Sequence, residues 1–340
     1  MKIIIPMAGM GKRMRPHTLT IPKPLIPIAG KPIVHRLVED IAKVTNEKIE
    51  EIAFITGRFG EEVESQLIAI AESIGAKGRI FYQDEALGTA HAVLCAQEII
   101  EGKVIVAFAD TLFKANFKLE SENDSIIWVH RVDNPSAFGV VKVNANGLIT
   151  DFIEKPKEFV SDLAIIGIYY FKDGNNLKKE LQYLIDNNIQ KGGEYQLTDA
   201  LENMKNKEMK FSIGKVEEWL DCGNKNATVY TNQRILEFNK NEFLVSKTAR
   251  ITNSLIIEPC YIADNVELKN SIIGPHVSIG ENSIIKHSIV TNSMIQTNSL
   301  IENANIDNSM IGNYVDYHGK VIDVSVGDFT SISLNKSIEN

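Results

Sequence analysis

The chain has 340 residues, 44% hydrophobic and 24% charged, a globular balance with enough apolar side chains for a large core and two domains. Its 36 Lys and Arg against 44 Asp and Glu leave a net charge of −8, which argues against nucleic acid as a partner. No apolar stretch approaches a membrane span, and three scattered cysteines, Cys95, Cys222 and Cys260, argue against a disulfide framework or a cysteine zinc site. "MKIIIPMAG" is too short for a secretion signal and reads as a strand entering a glycine turn, so a cytoplasmic protein is expected.

In chain order, Lys2–Pro6 reads as a buried strand and Ile33–Val44 as a helix. Ile52–Thr56 and Glu61–Ser73 repeat the strand–helix unit. Ile80–Gln83 and Thr89–Ile99 repeat it again, and Val104–Ala109 is a fourth strand ending at Asp110. Such alternation predicts an α/β domain, a mostly parallel sheet with helices on both faces. Ligands of these sheets bind beyond the carboxyl ends of the strands. The Gly9–Gly11 loop, the loop after Gln83 and Asp110 all fall there.

Past Phe243 helical spacing stops. Asn-Ser or His-Ser followed by two apolar residues recurs at Asn253, Asn270, Asn282, His287, Asn292, Asn298 and Asn308, and Ile273, Ile279 and Ile285 step by six. Short polar corners on a six-residue step predict a parallel β-helix, with an irregular β-sandwich as the alternative. The expected organisation is a catalytic-type domain over 1–238, a β-helix over 243–328 and a loose tail over 329–340.

The opening loop, "MAGMGKRMRPHTLTIPKPLIPIAGKPI", is basic within an acidic protein. Glycines there let backbone N–H groups approach a ligand, and Arg13 and Arg15 carry charge suited to phosphate oxygens. Lys23 stands between Pro22 and Pro24, which stiffens the backbone that carries its ammonium. His17, His35, His91 and His130 are dispersed and have no metal-type spacing; His91, at the helix start in "GTAHAV", reads as a packed or capping residue, with a nucleotide contact as the alternative. Trp128 and Trp219 read as core or pocket walls.

"GMGKRMRPHT" followed by "PKPLIPIAGKPI" resembles the signature of the sugar-1-phosphate nucleotidylyltransferases, in the glucose-1-phosphate thymidylyltransferase and UDP-glucose pyrophosphorylase branch. The family usually has Thr where Lys12 stands. "QDEALGTAHAV", "FADTLF", "AFGVVKVNANGLITDFIEKP", "IIGIYYF", "GGEYQLTDAL" and "EWLDCG" continue the resemblance in order over about residues 1–235. It implies a Rossmann-like nucleotidyltransferase domain and, for the C-terminal repeats, the left-handed β-helix of longer members.

The implied reaction joins dTTP or UTP to a hexose 1-phosphate, glucose 1-phosphate first, giving an NDP-sugar and pyrophosphate with Mg²⁺ as cofactor. By the same resemblance Ala8, Gly9 and Gly11 hold the triphosphate, and Arg13, Lys23 and Lys155 are catalytic cations. Gln83 and Gly88 meet the base. Gly139, Glu154, Lys155, Gly167 and Glu194 hold the sugar phosphate. Asp110 and Asp221 hold the metal; the strand pattern alone points to Asp110, and only the resemblance adds Asp221. A homo-oligomer is expected. The β-helix reads as a structural module, with His276, His287 and His318 available to an acyltransferase alternative. A catalytically silent sensor would be expected to lose the arginine, the lysines or the aspartates, and all are present.

Overall fold

The computed structural model describes residues 1–115, 119, 124–242 and 244–331. Position 243, where the second domain was expected to begin, and residues 332–340 of the expected tail lie outside them.

Four strands start the fold: β1 (Lys2–Pro6), a short ladder of β2 (Pro27–Ile28) with β3 (Lys31–Pro32), and β4 (Glu51–Thr56). Helices α1 (Ile33–Val44) and α2 (Glu61–Ser73) match the sequence pattern. β5 (Lys77–Tyr82), α3 (Thr89–Leu94), β6 (Val104–Ala107) and β7 (Thr111–Lys114) follow. The third helix is shorter than its apolar pattern predicts. Beyond Leu94 the backbone tightens into bonds three residues apart, such as Gln97 N–H to Leu94 O, which still bury Ala96 and Ile99.

The chain continues through β8 (Ser125–Arg131), β9 (Gly139–Val143), β10 (Ile149–Glu154) and β11 (Leu163–Phe171). α4 (Gly174–Asp186), α5 (Leu197–Asn206), β12 (Phe211–Lys215), β13 (Glu218–Asp221) and α6 (Lys225–Phe238) complete the domain. The main sheet runs β10-β9-β11-β6-β1-β4-β5, with β8 on β11 and β12 on β8. β6, β1, β4 and β5 are parallel, and β11 extends them antiparallel.

Side-chain alternation in β1 builds the two layers. Ile3 and Ile5 join the core under α1 and α2, whereas Ile4 joins the core under α3, α4 and α5. The parallel half therefore sends the β1, β5 and β6 ends, and the loops after them, to one rim.

The C-terminal domain is a three-sided coil of parallel strands, the left-handed β-helix architecture. One sheet has five strands and the other two have four each, among the described residues. The Asn-Ser repeat has a physical basis here. Asn253, Asn270, Asn282, His287, Asn292, Asn298 and Asn308 all take positive φ, between 42° and 58°, which Asn tolerates better than most residues. The serine that follows turns inward and receives the next coil's backbone: Ser288 N–H donates to Ser271 Oγ at 3.2 Å, and Ala304 N–H to Ser288 Oγ at 3.1 Å. Apolar positions stack in register, as in Leu268, Ile285 and Ile301, all fully buried.

One face of the coil is bonded to the first domain. Buried Asn232 on α6 accepts from Ala29 N–H at 2.9 Å and from Ser278 Oγ at 2.7 Å. His276 Nε2 lies 2.7 Å from Glu237 Oε1, and Met294 joins the core under α1.

Candidate active site

The loop after β1 is pinned by a methionine. Met14 is fully buried, with its sulfur 3.5 Å from Thr228 Oγ1, while Lys12, Arg13 and Arg15 around it stay exposed. Gly11 turns the chain at φ +56°, and its carbonyl accepts from Thr18 Oγ1 at 2.9 Å and from Met14 N–H at 2.8 Å. A Cβ at Gly11 would stand 3.0 Å from the Thr18 methyl. An apolar peg and a glycine turn thus display the basic side chains at the rim.

Lys23 follows on a short turn between its two prolines, and its Nζ lies 2.5 Å from Asp110 Oδ2. Asp110 stands between β6 and β7. Antiparallel pairing of β13 with β7 sets Asp221 opposite Thr111, and Cys222 N–H donates to the Asp110 carbonyl at 2.9 Å. This ladder carries the second aspartate to the first. Asp221 Oδ1 accepts from Gly223 N–H at 2.9 Å. Burial, and then the charge of Asp110, push the Asp221 carboxyl above its usual range, opposed by that hydrogen bond, Lys23 and Arg13.

Two carboxylates held together against their repulsion suit a divalent cation. Among the described residues no group of three or more His, Cys, Asp and Glu could hold a metal. Two carboxylates that leave room for further oxygens from water and phosphate would suit Mg²⁺ better than zinc.

A cavity of about 290 Å³ opens at this rim. Ala8, Gly9, Gly11 and Lys23 from the opening loop, Gln83 and Gly88, and Asp110 and Glu194 are among its lining, with Phe108 as an apolar wall. Six other residues to which the resemblance gives a role are not in its lining. Arg13 and Asp221 lie beside it, where a Cβ on Gly223 would meet both the Asp221 carboxylate and the Arg13 guanidinium within 3.2 Å. Gly139, Glu154 and Lys155 form a second group at β9 and β10, while Gly167 on β11 packs behind the cavity wall Phe108.

In that group Glu154 Oε2 accepts from Thr198 Oγ1 at 3.3 Å, and a Cβ at Gly139 would stand 3.0 Å from the same oxygen. Lys155 takes φ +42°, and its Nζ lies 3.7 Å from Glu154 Oε1. Gly167, at φ +87°, breaks the pairing of β11 with β8 and accepts from Phe108 N–H at 2.9 Å through its carbonyl. Glu194 Oε2 accepts from Gln196 Nε2 at 3.0 Å.

The sequence reading missed Thr198, Gly223 and Phe108. Gly223 ends "EWLDCG", and its N–H on Asp221 emerges only with the turn after β13. Thr198 lies inside "QLTDAL" and reads as helix start. Phe108 reads as strand core, and only the end of β6 at Ala107 turns it into a cavity wall.

A family model described as nucleotidyl transferase matches residues 2–237. Over 262 residues the chain is 32% identical to the bifunctional protein GlmU of Methanococcus maripaludis, covering 76% of this chain and 60% of that protein. It is 28% identical to the low-salt glycan biosynthesis nucleotidyltransferase Agl11 of Haloferax volcanii, covering 87% of each. The same identity and coverage hold for a glucose-1-phosphate thymidylyltransferase of Streptomyces antibioticus. Among solved structures, a UDP-glucose pyrophosphorylase complexed with UDP-glucose superposes with a TM-score of 0.57 at 25% identity, over 70% of this chain and 98% of that one.

Proposed function

Because the chain belongs to the nucleotidyl transferase family, we propose that it is a sugar-1-phosphate nucleotidylyltransferase, joining dTTP or UTP to a hexose 1-phosphate, with glucose 1-phosphate the favoured sugar. The observation that carries this reading is the convergence of Lys23, Asp110, Asp221 and Arg13 at the mouth of one cavity whose far side holds Gln83 and Gly88. The named activities of the thymidylyltransferase and pyrophosphorylase relatives support it.

An anionic oxygen of the sugar phosphate attacks the α-phosphorus. A new P–O bond forms as the bond from the α-phosphorus to the bridging oxygen breaks, and its electron pair leaves with pyrophosphate. The nucleophile is already ionised near neutral pH, so no general base is needed. The barrier is electrostatic, and catalysis rests on position and charge. Backbone amides of Ala8, Gly9 and Gly11 cradle the triphosphate, and Arg13 balances charge on the departing pyrophosphate. Lys23 stands where the two phosphates meet, and Lys155 draws in the sugar phosphate. Glu154, oriented by Thr198, and Glu194, oriented by Gln196, accept from sugar hydroxyls. Gly139 and Gly167 keep that side low. Asp110 and Asp221 would hold Mg²⁺, which supplies charge neutralisation to the phosphate oxygens.

The test is a pyrophosphate-release assay crossing four nucleotides with glucose-, galactose-, mannose- and N-acetylglucosamine-1-phosphate. Activity is expected with dTTP or UTP plus glucose 1-phosphate, and only with added Mg²⁺. Release with ATP or GTP alone would overturn the base assignment. The Methanococcus relative is named bifunctional, but two of the three β-helix histidines here are already paired with carboxylates: His276 with Glu237 on α6, and His318 between Glu302 and Asp316, while exposed His287 meets Asn270 at 3.5 Å.

The three β-helix faces support the homo-oligomer reading. One, with Tyr261, Ser278, Met294 and Met310 outward, packs on the first domain. A second carries charged residues of both signs, including the Arg250–Glu267 pair at 3.3 Å and Lys269, Lys286 and Glu302 in register. On the third, Leu255, Ile272 and Ile289 align across neighbouring strands and remain 38–56% exposed. The occupant is a second copy of this chain, because another β-helix presents the same rung spacing of about 4.8 Å and the same uncharged stripe. Ile272→Glu with Ile289→Glu is expected to reduce the solution mass to that of the monomer in multi-angle light scattering. Lys269→Glu on the charged face is expected to leave it unchanged. A monomeric wild type would overturn the assignment.

A further inference from the structure

Gln83 follows the last residue of β5 and lines the cavity. Its Nε2 lies 3.0 Å from the Gly88 carbonyl oxygen and 3.2 Å from His91 Nδ1. A carbonyl oxygen only accepts, so the amide must turn its nitrogen, and not its oxygen, toward Gly88. The second amide hydrogen then meets His91 Nδ1, which must carry a lone pair and leaves the ring proton on Nε2. Both amide hydrogens are engaged. The capacity the side chain keeps for a ligand is the acceptor Oε1. A glutamine amide offers a donor and an acceptor side by side; here the fold has committed the donor.

We propose that His91 is a positioning residue for base selection: it locks the Gln83 amide so that only an acceptor meets the base, which restricts the nucleotide to bases with a ring imide N–H. This rests on the cavity being the nucleotide site. Uracil and thymine donate from N3–H to Oε1. Cytosine brings the N3 lone pair to the same place, and two acceptors face each other with neither satisfied. α3 fixes the geometry, since its first turn closes by Ala92 N–H donating to the Gly88 carbonyl at 3.0 Å, holding Gly88 and His91 together. Partial burial lowers the His91 pKa against the opposing pull of Glu85, which favours the neutral ring able to accept. A histidine the sequence reads as packing thereby sets the direction of the base-reading amide.

The test measures kcat/KM for UTP, dTTP and CTP at saturating glucose 1-phosphate in wild type, His91→Ala and His91→Gln. Wild type is expected to prefer UTP and dTTP. His91→Ala is expected to compress the UTP-to-CTP ratio about tenfold, chiefly through KM. His91→Gln, whose side-chain oxygen also accepts, is expected to restore most of the ratio. If the alanine variant does not fold, His91→Phe removes the acceptor while keeping ring volume and gives the same comparison. A ratio within about twofold of wild type in these acceptor-free variants would overturn the proposal. A wild type that favours CTP or ATP would instead overturn the base assignment beneath it, so the two failures are distinct.

Discussion

Asp110→Asn is expected to lower turnover by roughly a thousandfold or more while leaving the fold intact. The carboxylate does two things at once. Its Oδ2 meets the Lys23 ammonium at 2.5 Å, and it stands close enough to Asp221 to push that carboxyl's pKa up. Asparagine keeps the shape but removes the charge. Lys23 loses its ionic anchor, and the two-carboxylate site becomes one carboxylate, which weakens a hard divalent cation that depends on oxygen charge. The fold is expected to survive because the strand contacts here are main-chain: Cys222 N–H donates to the Asp110 carbonyl, and β13 pairs with β7 through backbone. Pyrophosphate release at saturating substrates with a Mg²⁺ titration, beside a thermal melt, measures both parts. A variant with wild-type turnover would remove the metal assignment. A variant that melts well below wild type would show that the charge pair supports the fold as well.

What the chain disclosed before folding follows the range of the forces involved. Corner residues of the β-helix were legible because their cause is local: Asn tolerates positive φ, and the serine beside it bonds one coil away. The strand–helix alternation was legible for the same reason, and with it the rim where Gly9, Gln83 and Asp110 meet. Asp221 was not legible from pattern, since its place depends on an antiparallel ladder closing over a long stretch of chain. The antiparallel half of the sheet was likewise hidden, because β11 returns against β6 only once the parallel half exists. The direction of the Gln83 amide was hidden more deeply still. It is set by one carbonyl and one ring nitrogen that residue identity alone does not orient.

Gly88→Ala is expected to raise KM for both substrates by about tenfold or more and to destabilise the fold by about 1–3 kcal/mol. Gly88 caps α3 at φ 109° and ψ 178°, a region nearly closed to residues with a side chain. An added Cβ would lie 2.5 Å from Tyr195 O, 2.7 Å from Tyr195 N and 3.0 Å from Glu194 Cβ. Two of these are backbone atoms, already bonded: Tyr195 N–H to Leu87 O at 2.8 Å, and Ala90 N–H to Tyr195 O at 2.9 Å. They cannot yield without breaking the link between the base corner and the loop that carries Glu194. A shift there moves the carbonyl that holds Gln83 on one side and the carboxylate read as a sugar contact on the other. Gly9→Ala makes the contrast, because no atom lies within 4 Å of its added methyl. That variant is expected to melt like wild type and to lose affinity for the nucleotide alone, since the methyl would meet only the incoming triphosphate. Separate KM measurements for nucleotide and sugar phosphate distinguish the two. If Gly88→Ala changed only the nucleotide term, the hydrogen-bonded link from Leu87 to Tyr195 would not couple the two halves of the cavity.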